Sequence, residues 1–220
     1  MLPLQKAIPG VEDYSKMKIL GSGMSINKYG LKDIYESNAF YVVLNNFDVV
    51  QGLYKITDSP ILFFAHDYHS NRFDRVIAKS DKNKLKEYLW QNNVYTFLHK
   101  KNINQQNSTS EINYPADRLS WIKNLKYYIK SQSNIEYFEK STDSLLGFSS
   151  SLHSPLSLPI GNDFIAEVNL YGMDLYIYQN TLKFDNSEVG AHAGLIFNAN
   201  RILLKYLSGK RPDLKVAFFN

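Results

Sequence analysis

Short apolar runs that each stop at a polar or glycine position, with stretches of helical periodicity between them, constrain this chain more than any other feature. Met17–Leu20 stops at Gly21, Phe40–Leu44 at Asn45-Asn46 and Ile61–Ala65 at His66-Asp67. Val94–Leu98 stops at His99, Val168–Tyr171 at Gly172-Met173-Asp174, and Lys215–Phe219 is a further run. Runs of this length suit strands buried on both faces.

The segments between them read as helices. Lys82–Trp90 follows Ser80 and Asp81, either of which can cap free backbone N–H groups. Leu119, Ile122, Leu125 and Ile129 recur at helical spacing and predict an amphipathic helix from about Ala116 to Lys130. Ser157–Glu167 reads as a helix only with Pro159 in its first turn. Ala193–Leu207 carries a wide apolar face of Leu195, Ile196, Ala199, Ile202, Leu203 and Tyr206. Strands alternating with helices predict an α/β fold: one Rossmann-like domain over residues 1–220, with a mainly parallel sheet flanked by helices. Ligands of such sheets gather beyond the carboxyl ends of the strands. There the sequence puts Gly21–Ser25, Asn45-Asn46, His66-Asp67 and Gly172–Tyr176. The polar tract Asn102–Ser110 reads as a surface loop or a lid connection.

Composition removes several classes of function. With no cysteine, disulfides, thiolate catalysis and cysteine-based zinc sites are out. The net charge of +4 is scattered, its densest runs being Lys79–Lys86, Lys100-Lys101 and Lys205–Lys215. A nucleic-acid binder concentrates such charge on one face, so solvated helix surfaces explain these runs better, with a weak attraction to anionic headgroups as the other reading. No apolar stretch approaches the ~20 residues that span a bilayer, and Glu12 and Asp13 break any signal-peptide pattern. The expectation is a cytoplasmic protein, peripheral to the inner membrane at most.

The turn Gly21-Ser22-Gly23 before Met24-Ser25 is the first candidate site. Its first glycine permits a tight turn and its second a close backbone approach to a ligand. A following helix would aim free N–H groups and a partial positive charge at that ligand. A tight strand-to-helix turn with no ligand gives the same pattern. A dinucleotide site would want glycine at position 26 and an acid after the second strand, where Ile26 and Asn45-Asn46 stand. NAD is therefore disfavoured, and a P-loop ATPase lacks its G-x-x-x-x-G-K-[ST] motif. Asn45 and Asn46 offer donors and acceptors suited to a sugar hydroxyl or a pyrimidine edge.

Lys18–Ser25 with Asn45-Asn46 resembles the start of the bacterial sialyltransferases of glycosyltransferase family 42. Glu167–Tyr176 is similar to that family's strand ending in glycine, an apolar residue, aspartate and then tyrosine, and His192 ahead of a helix is a third match. The resemblance implies a metal-independent transferase that uses a CMP-activated acidic sugar, sialic acid or a Kdo-like relative, in lipooligosaccharide or capsule synthesis. Its partners would be the CMP-sugar donor and a saccharide or glycolipid acceptor. It implies that Gly21, Ser22, Gly23 and Ser25 hold the phosphate and ribose and that Asn45 or Asn46 contacts the nucleotide. It places Ser154 near the donor, Tyr176 and Tyr178 on the departing phosphate and His192 as the base. The interval from Asp174 to His192 is shorter than the family's, and the expectation is a minimal member or part of a longer chain.

The remaining chemistry-bearing residues have their own readings. Asp174 is a nucleophile in a double displacement or, better, the residue that orders the loop carrying Tyr176. His66 lines the nucleotide pocket, whereas His66 with His69 as a metal pair lacks a convincing third ligand in sequence. His153 and Ser154 are adjacent and so do not face one another, and His99 beside Lys100 reads as exposed. The rivals to a transferase are a non-catalytic nucleotide-binding module and a pyrophosphokinase-like enzyme that needs ATP and magnesium.

Overall fold

The structure, a computed structural model, describes residues 1–21, 24–44, 52–65, 82–100, 122–131, 134–147, 152–173 and 188–219, with the backbone alone for residues 24, 65, 82, 99, 100 and 188–197. Its strands are β1 (Lys16–Leu20), β2 (Ala39–Leu44), β3 (Ile61–Ala65), β4 (Val94–Lys100), β5 (Leu125–Lys130), β6 (Ser144–Leu145), β7 (Glu167–Tyr171) and β8 (Lys215–Phe219). They form one eight-stranded sheet in the order β6-β5-β4-β3-β2-β1-β7-β8, and every adjacent pair is parallel. The α/β, Rossmann-like expectation holds. Six of the strands lie where the apolar runs predict them; for five, β8 at the sheet end excepted, the reason is that interior strands of a parallel sheet bury both faces. All six residues of β2 are buried.

Helices α1 (Leu4–Ala7), α2 (Leu31–Ile34), α3 (Lys82–Leu89), α4 (Ile135–Lys140), α5 (His153–Leu156) and α6 (Glu188–Lys210) divide between the two faces. On the first face, Met17, Ile19, Phe40, Phe64, Phe97 and Leu170 pack with Leu4, Phe138, Leu156, Leu203 and Leu207 from α1, α4, α5 and α6. On the second, Leu20, Tyr41, Val43, Phe63 and Leu98 pack with Ile34 of α2 and with Leu85, Tyr88 and Leu89 of α3. Burying each such side chain stabilises the fold by about 1.5–3 kcal/mol.

Three helix expectations change. The segment predicted as a helix over 116–130 holds β5, which pairs with β4 from Thr96↔Leu125 to Lys100↔Ile129. The apolar spacing there fits a helix, but Leu-Lys-Tyr-Tyr-Ile-Lys is also a strand sequence, and the open side of β4 decides the matter. Ser157–Glu167 is not one helix. A 3-10 turn over Leu158–Gly161 ends at Asn162, whose Nδ2 donates to the Leu158 carbonyl at 2.8 Å, and Glu167 opens β7. The third, Ala193–Leu207, is α6, which starts earlier and ends later. Consequently His192 lies within its second turn rather than ahead of it.

Candidate functional site

The chain steps outward from β1 to β2 on one side and later returns to lay β7 on the other. Connections from the carboxyl ends of β1 and β7 therefore diverge, which is where open α/β sheets receive ligands. Gly21 and Gly172 follow those two strands directly and touch. The Gly21 amide donates to the Tyr171 carbonyl at 2.9 Å. A Cβ on Gly21 would sit 2.7 Å from the Gly172 carbonyl oxygen and 3.0 Å from Met173 Cε. A Cβ on Gly172 would meet the Gly21 oxygen at 3.0 Å and Ile26 Cβ at 3.1 Å, and its φ of +68° already favours glycine. Gly21 is thus required by the approach of the neighbouring loop, not by a left-handed turn of its own. This seam is the part of the predicted site that the described residues bring together.

The helix expected just after the glycine turn is not a substantial one. Met24–Lys28 is a 3-10 helix of five residues and α2 has four, too short to build a strong dipole. Ser25 is buried at 8% exposure.

α6 supplies the long helix instead. Its 23 residues rise about 35 Å, twice the ~17 Å of a five-residue strand. Its carboxyl-terminal half packs on the sheet through Leu203 and Leu207. Since the helix feeds β8 at the amino edge, its first half lies toward the carboxyl edge.

A buried pair ties α6 to α5 below that level. His153 Nε2 lies 2.7 Å from Asn200 Oδ1, and His153 is fully buried. Burial, with Lys130 adding to it and the Asn200 hydrogen bond opposing it, pushes His153 down to about 4. Ser154, expected near the donor, is also fully buried. Nearby Tyr128 is buried as well, and burial raises its phenol to about 12. Asn200 in an otherwise apolar helical stripe was the readable sign of the His153–Asn200 pair.

Under the seam, on the second face, Lys18 is buried in mid-strand. It donates to the Ile34 carbonyl at 2.6 Å, pairs with Glu36 at 3.0 Å and lies 5.9 Å from the centre of the Tyr171 ring. Glu36 also binds Lys16. Those two lysines hold its carboxyl below the usual range although burial pushes the other way. Burial, with Glu36 nearby, raises Tyr171 to about 12, so its phenol stays neutral. A lysine within Met-Lys-Ile-Leu was the sequence signal for this network.

Ser22, Gly23, Asn45, Asn46, His66, Asp174, Tyr176 and Tyr178 lie outside the described residues, as does the side chain of His192. Among the described residues, no group of three His, Cys, Asp or Glu converges as a metal site, and no helix is long and apolar enough to cross a membrane. No protein-family model and no curated protein matches the sequence.

Proposed function

We propose that this chain is a CMP-sugar-dependent glycosyltransferase that works at the carboxyl edge of the sheet between β1 and β7. The observation that carries the reading is the Gly21–Gly172 seam at the point where the strand order reverses. The resemblance of Gly21–Ser25 and Gly172–Tyr176 to a sialyltransferase names the nucleotide. The donor phosphate lies over the seam, with Ser22, Gly23, Asn45, Asn46 and His66 around the nucleotide. Ser154 is too deeply buried to touch it directly.

In the reaction, an acceptor hydroxyl oxygen attacks the anomeric carbon of the acidic sugar and the carbon–phosphate-oxygen bond breaks. The hydroxyl proton passes to His192, whose ordinary pKa of ~6.5 suits a base at neutral pH, and CMP leaves. Tyr176 and Tyr178 donate to the departing phosphate as its charge grows, and Asp174 orders the loop that carries them. A glycolipid acceptor fits a cytoplasmic enzyme at the inner face of the membrane.

A thermal-shift panel of CMP, CDP, UDP and ATP, with and without magnesium, tests the reading. CMP should stabilise the protein without metal, and stabilisation only by ATP with magnesium overturns the proposal. Transfer from a CMP-sugar should then fall about 10²–10⁴-fold in His192→Ala with CMP binding intact. CMP binding without any transfer by the native protein would leave a nucleotide-binding module instead.

A further inference from the structure

Tyr29, Tyr171 and Phe219 form an aromatic corner beside the seam. Tyr171 and Phe219 are register partners at the carboxyl ends of β7 and β8. Their rings stack with centroids 4.6 Å apart and planes 12° from parallel. Tyr29, in the connection that leaves Gly21, stands at 84° to both, 5.4 Å from Tyr171 and 6.4 Å from Phe219. Tyr171 is buried, whereas Tyr29 and Phe219 are half-buried. The accessible ring surface of the corner belongs to those two. Among the described residues β8 is the outermost strand of the sheet, so the ring surface of Phe219 turned away from Tyr171 faces that edge. α6 packs on the opposite face.

We infer that this corner is a nucleobase platform, the base stacking on Tyr29 and Phe219 while the phosphate lies over Gly21 and Gly172. The inference rests on the nucleotide reading above and deepens it. At a strand spacing of about 4.8 Å, β8 lies about 7 Å from the middle of the β1–β7 seam, within the reach of one nucleoside monophosphate. A planar base gains from an aromatic face whatever its identity, and the Tyr29 phenol adds a polar group at the rim. The two segments that meet at the seam thus supply two of the corner's three rings, since Tyr29 comes after Gly21 in the chain and Tyr171 immediately precedes Gly172, and β8 supplies the third, Phe219.

The test compares CMP with ribose 5-phosphate, which lacks the base, by calorimetry on the full chain and on Tyr29→Leu and Phe219→Leu. Each variant should weaken CMP by about 10-fold and leave ribose 5-phosphate unchanged. In proton NMR of the native protein, cytosine H5 and H6 of bound CMP should move upfield and show contacts to aromatic side-chain protons. That measurement decides the matter if a variant fails to fold. Equal weakening of both ligands, or base protons that do not shift, overturns the platform and leaves the nucleotide site standing. Failure of the native protein to bind either ligand overturns both.

Discussion

The two edges of the sheet are built by different means. At the amino edge, polar side chains close the connections by bonding to backbone. Asn93 Nδ2 donates to the carbonyls of Thr57 and Ser59, and Asn124 Nδ2 to those of Gln91, Asn92 and Val94. Asn162 joins Leu2, Leu4 and Leu158. Arg211 reaches the carbonyls of Pro159 and Ile165 while paired with Asp213. Where the carboxyl edge is described between β1 and β7, closure comes from two glycines in backbone contact. Buried backbone groups must be satisfied wherever chain turns are packed. At the amino edge, polar side chains are therefore committed to the fold, whereas the seam sets backbone against backbone with the apolar side chains of Met173 and Ile26 packed on it. Arg211 shows the point most directly. In the sequence it belongs to a basic run read as solvated surface, yet it is buried at 8% exposure.

Arg211→Ala tests the structural side of this contrast and should have the largest effect. Two buried carbonyls lose a charged donor, at a cost of roughly 3–5 kcal/mol, or about 10 °C in Tm for a chain of this size. CMP affinity of the folded protein should be unchanged. A shift in urea midpoint worth less than about 1 kcal/mol would break the assignment of this edge to stability.

Acid should separate the two sides by pH. His153 is held down to about 4 in the fold against an unfolded value of ~6.5. The unfolded chain therefore takes up its proton first. Stability is full above pH 6.5 and falls by about 3 kcal/mol as pH drops from 6.5 to 4. Glu36, held below its ordinary value of 4.5, behaves as a stabilising carboxylate. Its contribution is present above that value and is lost only as pH falls further through the folded value. The stability linked to His153 thus begins to be lost at higher pH than that linked to Glu36. Urea unfolding from pH 8 to 3 should show His153→Gln flattening the limb between 6.5 and 4, and Glu36→Gln changing only the more acidic limb.

Gly21→Ala addresses the seam itself. The added methyl must displace a carbonyl or Met173, for about 1–3 kcal/mol of stability. If the proposed CMP site lies over the seam, calorimetry should show CMP binding lost. Retained affinity at unchanged stability would show that the seam neither packs tightly nor borders the ligand.

The same physics decides which parts of the molecule were legible in the sequence. β1, β2, β3, β4 and β7 are readable because their burial leaves continuous apolar runs, and β8, partly exposed at the sheet end, because Val216–Phe219 is apolar all the same. β5, next to the outermost strand on its side, alternates Lys126 and Lys130 with apolar residues, and its Leu125 and Ile129 also fit a helical stripe that begins at Leu119. β6, with two residues, carries no periodicity at all. Gly21 and Gly172 were readable as special positions. Their contact was not, since it joins segments about 150 residues apart and depends on β7 inserting beside β1. Lys18 and Asn200 stand out in the sequence only as polar residues within apolar runs, without their partners, and Arg211 looks like ordinary surface until its turn is packed.

The smallest effects should come from the two asparagines that precede β4 and β5. Each of Asn93→Ala and Asn124→Ala removes side-chain bonds to backbone carbonyls and should cost about 1–2 kcal/mol. The double variant should cost less than the sum. Asn124 Nδ2 bonds to the carbonyls of Gln91, Asn92 and Val94, and that turn is the one that aims Asn93 at Thr57 and Ser59. Without Asn124 the turn relaxes and Asn93 has less left to lose. A coupling of about 0.5 kcal/mol or more in a double-mutant cycle is expected. Strict additivity would mean that the amino edge is a row of independent ties rather than a connected one. The same cycle between Asn124 and Gly21 should show none, because the seam sits at the other end of the strands and shares no partner with this turn.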